Sequence, residues 1–424
     1  HSLKETTMGI KLRLTIMNFM QYFIWGAWLI SIGRYWFEHM HWSATQFGAI
    51  FSTMGIASVF MPALMGIIVD RLVPAQKMYG VLHILAALVL LYIPQIDNPG
   101  LFFWIMLLNM VFYMPTISLS ITVAYNALKN ENMDVVKEYP PIRIWGTIGF
   151  IAALWVVNLT HNGASANQFY IAAVVSFLLG VYAFSLPNCP PLGKNEKGKS
   201  FVDALGLNAF RLFKSKRFAV FFIFSMLLGA ALQLTNAYGD TYISDFAKVA
   251  AYKNSFAVRY SEIIMSISQI SETLFILAIP FFLKKFGIKY VMIMSMVAWV
   301  LRFGLFGFGN PEDGLWMIIL SCIIYGMAFD FFNISGSLFI ETQTDAKIRG
   351  SAQGLFMMMV NGFGALVGSF VSGVLIDKYF TVAGVKDWKG IWIMFALYAL
   401  VLTIVFPLIF KNKHTRNSIE SFHH

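Results

Sequence analysis

The chain has 424 residues, 58% of them hydrophobic and only 12% charged, with a mean hydropathy of +0.68. Soluble domains carry about 25% charged residues, so the composition excludes an ordinary soluble enzyme and places the chain in a lipid bilayer. The net charge of +10 does not point to nucleic acid, because the basic residues cluster in loops between apolar runs, where membrane orientation puts them.

Residues 1–7 precede Met8 and read as an expression remnant ahead of the natural start. A spanning helix needs about 20 apolar residues, and hydropathy with turn signals predicts spans over 12–37, 44–69, 76–95, 100–128, 141–160 and 166–187. A second set follows over 216–243, 258–284, 288–308, 314–341, 349–377 and 388–410. Turn chemistry marks the gaps, as in Asp97-Asn98-Pro99-Gly100 and Asn310-Pro311-Glu312-Asp313-Gly314. The one long polar connector holds Lys194, Lys197, Lys199, Arg211, Lys214, Lys216 and Arg217. The predicted organisation is a six-helix bundle over 8–187, a connector over 188–215, a second bundle over 216–411 and a tail over 412–424. This is an all-α membrane protein of twelve transmembrane helices in two six-helix halves, the architecture of the major facilitator superfamily.

Lys and Arg set the orientation. Seven of the 31 fall outside (Arg34, Lys248, Lys253, Arg259, Lys378, Lys386 and Lys389), Arg302 lies within a span, and the remaining 23 are inside. Both termini are therefore expected in the cytoplasm, with the chain multi-pass in the inner membrane. Cys189 and Cys322 are the two cysteines; one is in a connector and one in a span, so neither a disulfide nor a metal site is expected, and no cofactor. His39, His41, His83 and His161 are scattered, which argues against a polytopic membrane enzyme.

The loop after the second span, Gly66-Ile67-Ile68-Val69-Asp70-Arg71, resembles the facilitator loop motif, in which an Asp and a basic residue at a helix end steady one conformation. Gly66, Asp70 and Arg71 carry that likeness; a plain helix end with an inside Arg is the alternative. A similar Gly373-Val374-Leu375-Ile376-Asp377-Lys378 follows the eleventh span on the outer side.

Polar groups inside the spans point to function. Asp330 sits in the apolar run Ile323–Asn333, and Glu272 in another from Ile263 to Phe282. A charged carboxyl at mid-bilayer costs about 2.5 to 3.5 kcal/mol on the gentlest scale, so acids at that depth mark a polar pathway. In the seventh span Gln233, Asn236 and Asp240 share a face; two amides offer donors and acceptors to a hydroxyl-rich ligand or hydrogen-bond between helices. Asp240, near the outer end, is expected to be solvated. Gln269 and Glu272 share a face of the eighth span; Glu272 suits sugar hydroxyls or an ion pair with Arg143 or Arg302. Tyr325, Phe329 and Asn333 recur every four residues in the tenth span, a surface for stacking a planar base or for packing. Arg143, Thr147 and Phe150 share a face of the fifth span, where Gly146 and Gly149 allow close helix approach; a cytoplasmic anchor is the alternative role for Arg143. Asn18, Gln21, Tyr22, Trp25 and Trp28 of the first span are lining or an interfacial aromatic set.

The strings Tyr139-Pro140-Pro141-Ile142-Arg143-Ile144-Trp145-Gly146-Thr147-Ile148-Gly149-Phe150, Phe221 to Ala230, Ile264 to Phe275 and Phe329 to Ser337 closely resemble the bacterial nucleoside:proton symporter family, and the likeness runs from Lys11 to Lys413. It implies proton-driven uptake of nucleosides such as uridine, inosine or adenosine by alternating access, with the ligand in a central cavity. Matched residue by residue, it assigns substrate binding to Arg143, Thr147, Phe150, Gln233, Asn236, Gln269, Glu272, Tyr325 and Phe329. Proton coupling falls to Asp330, with Glu272 the alternative. Partners are the nucleoside, protons and the lipid bilayer; no nucleic acid is expected, and nothing argues for an obligate oligomer, so a monomer is. A facilitator for another polar solute, such as a sugar or organic acid, is the rival reading.

Overall fold

A computed structural model describes residues 2–191 and 207–411; the predicted connector's Lys194, Lys197 and Lys199 and the tail beyond Lys411 lie outside the described residues. The main helices are α1 (Ser2–Gly26), α2 (Ala44–Arg71), α3 (Ala75–Tyr92), α4 (Pro99–Asn130), α5 (Val135–Leu159), α6 (Asn167–Ala183) and α7 (Lys216–Asp245). They continue with α8 (Ser261–Phe308), α9 (Leu315–Gln343), α10 (Ala346–Met357), α11 (Gly364–Tyr379) and α12 (Trp388–Ile409). A π-helical segment, Met358–Phe363, joins α10 to α11, so these two form one span.

Among the described residues nine helices are long and apolar enough to cross a membrane, and α6 is a shorter apolar helix. α8 counts twice. Its 48 residues would extend about 72 Å at 1.5 Å per residue, against a hydrocarbon core of about 30 Å. Gly287 breaks it with φ +83° and ψ 171°, a conformation essentially reserved for glycine. The arms 261–286 and 288–308 are the predicted eighth and ninth spans. Counted with α1 and α6, the described helices are consistent with the twelve spans that hydropathy predicts.

The turns behave as their residues dictate. Asn98 Oδ1 accepts from the Gly100 N–H at 2.7 Å and starts α4. Asn310 Oδ1 accepts from the N–H groups of Glu312 and Gly314, both at 2.9 Å. Two differences stand out. α5 begins at Val135 rather than at the Pro140-Pro141 pair, which lies within it; the pair falls in the second turn, and the Lys11–Glu138 ion pair at 2.6 Å ties the added turn to α1. A two-stranded hairpin, Thr381–Val382 with Val385–Lys386, turns through Ala383 and Gly384, both at positive φ. Lys386 on that hairpin is half-buried, and its desolvation holds the amine below the usual lysine range against the opposing pull of Asp245 and Asp377.

The chain separates into two compact units, one of residues 1–42 with 56–204 and one of 43–55 with 205–424. In the first, α1 packs on α5 and α3 packs on α4 and α6. The α3–α6 crossing is close because both partners are glycine: a Cβ on Gly80 would meet the Gly180 carbonyl oxygen at 2.8 Å. In the second, α8 packs on α9 and α12, and α7 on α11. The first turns of α2 also belong to it. The Asp377 carboxylate at the end of α11 accepts from the Ala44 N–H at 2.9 Å and from the Thr45 N–H, a cap supplied from another helix to the positive end of α2. The Gly373-to-Lys378 motif thus has a structural task in its own unit.

Candidate functional site

In the first unit α5 carries Arg143, Thr147 and Phe150 on one face. Arg143 and Thr147 are half-buried and Phe150 is buried. Arg143 lies eight residues, about 12 Å, inside the helix that starts at Val135. Its guanidinium carbon stands 4.0 Å from the centroid of the Tyr22 ring. The helices meet through small residues: a Cβ on Gly26 would lie 2.6 Å from the Phe150 carbonyl oxygen, and one on Gly149 would overlap the carbonyl of Phe19.

Gln21, one residue before Tyr22, is the hub of a buried network that the sequence, offering lining or an interfacial aromatic set, did not announce. Its Oε1 accepts from the Tyr79 hydroxyl at 2.6 Å and meets His83 Nε2 at 2.8 Å, while its Nε2 donates to Thr116 Oγ1 at 2.9 Å. The Tyr113 hydroxyl donates to the Gln21 carbonyl at 2.7 Å. An amide oxygen only accepts, so His83 donates through Nε2. The histidine is a fastener between α3 and α1. Its signal was already present as one histidine inside a span.

In the second unit the acids stand together. Asp330 on α9 is 2% exposed, and its Oδ2 has no hydrogen-bond partner among the described residues. Glu272, half-buried on the first arm of α8, is close enough to act electrostatically on both Asp330 and Tyr325. Tyr325 is buried; its ring stacks on Phe329 at 6.1 Å with 6° between the planes and meets the edge of Trp299 at 6.0 Å. Phe329, Asn333, Trp299, Leu228, Leu232 and Val360 line a recess in this unit. Gln233 on α7 is buried with its Oε1 unpartnered; Asn236 and Gln269 are half-buried. Trp299 and Val360 had no sequence signal of their own, since they are apolar residues in apolar spans.

One expectation fails. Asp240 is fully buried, not solvated, because the outer end of α7 is roofed by rings: Tyr242 packs on Phe306 at 5.2 Å, Trp388 at 5.8 Å and Trp392 at 5.5 Å. Arg302, one alternative partner for Glu272, is held by other groups. It donates to Thr235 Oγ1 and Ser321 Oγ, each at 3.4 Å, and lies over the rings of Phe306 at 4.1 Å and Tyr325 at 5.4 Å. Of the loop motif, Gly66 lies in α2 and Arg71 is exposed at its end; the side chain of Asp70 lies outside those described. Cys189 and Cys322 are buried and free, and no group of His, Cys, Asp and Glu that could hold a metal occurs among the described residues.

Comparison with known proteins decides the family. The family model described as "Nucleoside H+ symporter" matches residues 8–415. The chain belongs to the nucleoside H+ symporter family. It is 49% identical to the xanthosine permease of Escherichia coli K12 over 97% of this chain and 99% of the relative. It is also 49% identical to the nucleoside permease NupG of the same strain, over 96% and 98%. The crystal structure of nucleoside transporter NupG superposes with a TM-score of 0.90, covering 95% of this chain and all of that one. A peptide-transporter structure of the POT family, 15% identical, shares the fold at a TM-score of 0.68. The chain is a multi-pass inner-membrane transporter of the major facilitator fold, not an enzyme.

Proposed function

We propose that the protein takes up nucleosides with protons, that Asp330 carries the coupling proton, and that Arg143, Thr147, Phe150, Gln233, Asn236, Gln269, Glu272, Tyr325 and Phe329 contact the nucleoside. The observation that carries the reading is Asp330: a carboxyl buried beside a second acid, with one oxygen unpartnered. An unpaired buried charge is expensive, and a proton removes it. Asp330 therefore binds a proton when its surroundings are closed to water and releases it when they open to the less acidic side.

The remaining residues divide by chemistry. The parallel rings of Tyr325 and Phe329 offer a face to a planar base. Glu272 accepts from ribose hydroxyls, and Gln233, with its free Oε1, and Asn236 supply amides to the base or sugar. Arg143 donates to carbonyl oxygens of the base. The Escherichia coli relatives are named for xanthosine and for nucleosides, and this substrate class fits a site with both amides and aromatic rings. Alternating access exposes the loaded site to one side at a time. Both termini lie in the cytoplasm, as the basic residues require, the helices are embedded in lipid, and the monomer is the working unit.

The test is uptake of radiolabelled uridine, inosine and xanthosine into proteoliposomes with and without an inside-alkaline pH gradient. Accumulation that collapses with the gradient is expected. Accumulation indifferent to it, or uridine uptake displaced by sugars or organic acids and not by nucleosides, overturns the assignment.

A further inference from the structure

We propose that Tyr22 is a positioning residue for Arg143: its ring holds the guanidinium so that the N–H edge faces the nucleoside. The inference rests on the reading of Arg143 as a nucleoside contact. The guanidinium carbon lies 4.0 Å from the ring centroid, within the range of a cation–π contact. Among the described residues no carboxylate pairs with Arg143. Its five planar donors thus remain for a ligand, while the face of the plane is occupied by the ring.

Two features of the first unit make this a built arrangement rather than a chance contact. Gly146 is the floor of it. A Cβ at that position would stand 2.6 Å from Tyr22 Cδ2 and 2.8 Å from an Arg143 terminal nitrogen, so a side chain there would force the ring or the guanidinium to move. The ring itself cannot swing with its helix, because neighbouring Gln21 is held by side chains from α3 and α4. Tyr22 is 8% exposed, which excludes water from the ring and strengthens the contact. A free arginine side chain samples many rotamers; the ring selects one before the nucleoside arrives, and preorganisation of this kind lowers the cost of binding.

The experiment compares uridine transport kinetics of Tyr22→Leu, Tyr22→Phe and Gly146→Ala in proteoliposomes, with Arg143→Gln alone and combined with Tyr22→Leu. Tyr22→Leu is expected to raise KM by about 5- to 30-fold, the range of a desolvated cation–π contact, with kcat little changed. Tyr22→Phe restores the ring and the affinity. Gly146→Ala, which inserts a methyl between ring and guanidinium, raises KM in the same way and serves if Tyr22→Leu fails to fold. In the Arg143→Gln background Tyr22→Leu adds nothing, because the interaction it removes is gone. A Tyr22→Leu effect that persists undiminished without Arg143, or a Tyr22→Phe variant as impaired as Tyr22→Leu, overturns the positioning role while leaving Arg143 as a contact. Unchanged KM in Arg143→Gln overturns the contact, and the positioning role falls with it.

Discussion

Replacing Asp330 with asparagine separates coupling from binding. The side chain keeps its shape and loses its charge. In the native protein the ionised carboxylate has an unpartnered oxygen, is 2% exposed and feels Glu272 as a like charge. Like charges in a buried site oppose each other more strongly than in water. That repulsion adds to a desolvation cost of several kcal/mol per buried ion, so with the site closed the proton-bound form is the one the fold tolerates. Asparagine imitates that form permanently. If one proton moves with each nucleoside, a tenfold proton gradient stores about 1.4 kcal/mol and supports about tenfold accumulation. Asp330→Asn is expected to bring the accumulation ratio to about one while exchange of internal for external uridine continues, because exchange needs no net proton movement. Its melting temperature in detergent should equal or exceed that of the native protein, since no charge remains to be buried. The assay is uridine accumulation and counterflow in the same vesicles. Undiminished tenfold accumulation by Asp330→Asn would refute the argument.

Glu272→Gln should raise the uridine dissociation constant by about 10- to 100-fold, the worth of a hydrogen bond to a charged group, measured by isothermal titration; an unchanged constant removes Glu272 from the sugar. Gly149→Ala places a methyl against the Phe19 carbonyl and should cost about 1–3 kcal/mol by overpacking, read as a lower melting temperature; an unaltered one would mean that α1 and α5 slide freely. Asp377→Ala removes the acceptor for the Ala44 and Thr45 N–H groups and should destabilise by about 1 kcal/mol, whereas Asp377→Asn should recover part of the loss through its amide oxygen.

Spans and turns were legible in the sequence because each is encoded locally. A run of apolar residues needs no distant partner to declare itself in lipid, and Asn98 and Asn310 cap the backbone within four residues of themselves. The break at Gly287 was legible for the same reason: Lys284-Lys285-Phe286-Gly287 puts charge and backbone freedom where two spans must part. The start of α5 was misread because Pro140-Pro141 normally announces a first turn. Here the Lys11–Glu138 pair supports an earlier start from another helix, information the local string does not contain.

The polar residues inside the spans divide along the same line, and the division explains which roles could be assigned. An acid in an apolar run declares itself, so Asp330 and Glu272 were visible at once. What surrounds an ionisable group is set by residues far away in the chain. Asp240 looked solvated until Trp388 and Trp392, about 150 positions later, closed over the end of its helix. Arg302, one alternative partner for Glu272, is held by Thr235, Ser321 and two aromatic rings from distant parts of the chain. Asp330 stands apart: it is 2% exposed with an unpartnered Oδ2, so it is the acid for which a bound proton removes the largest penalty.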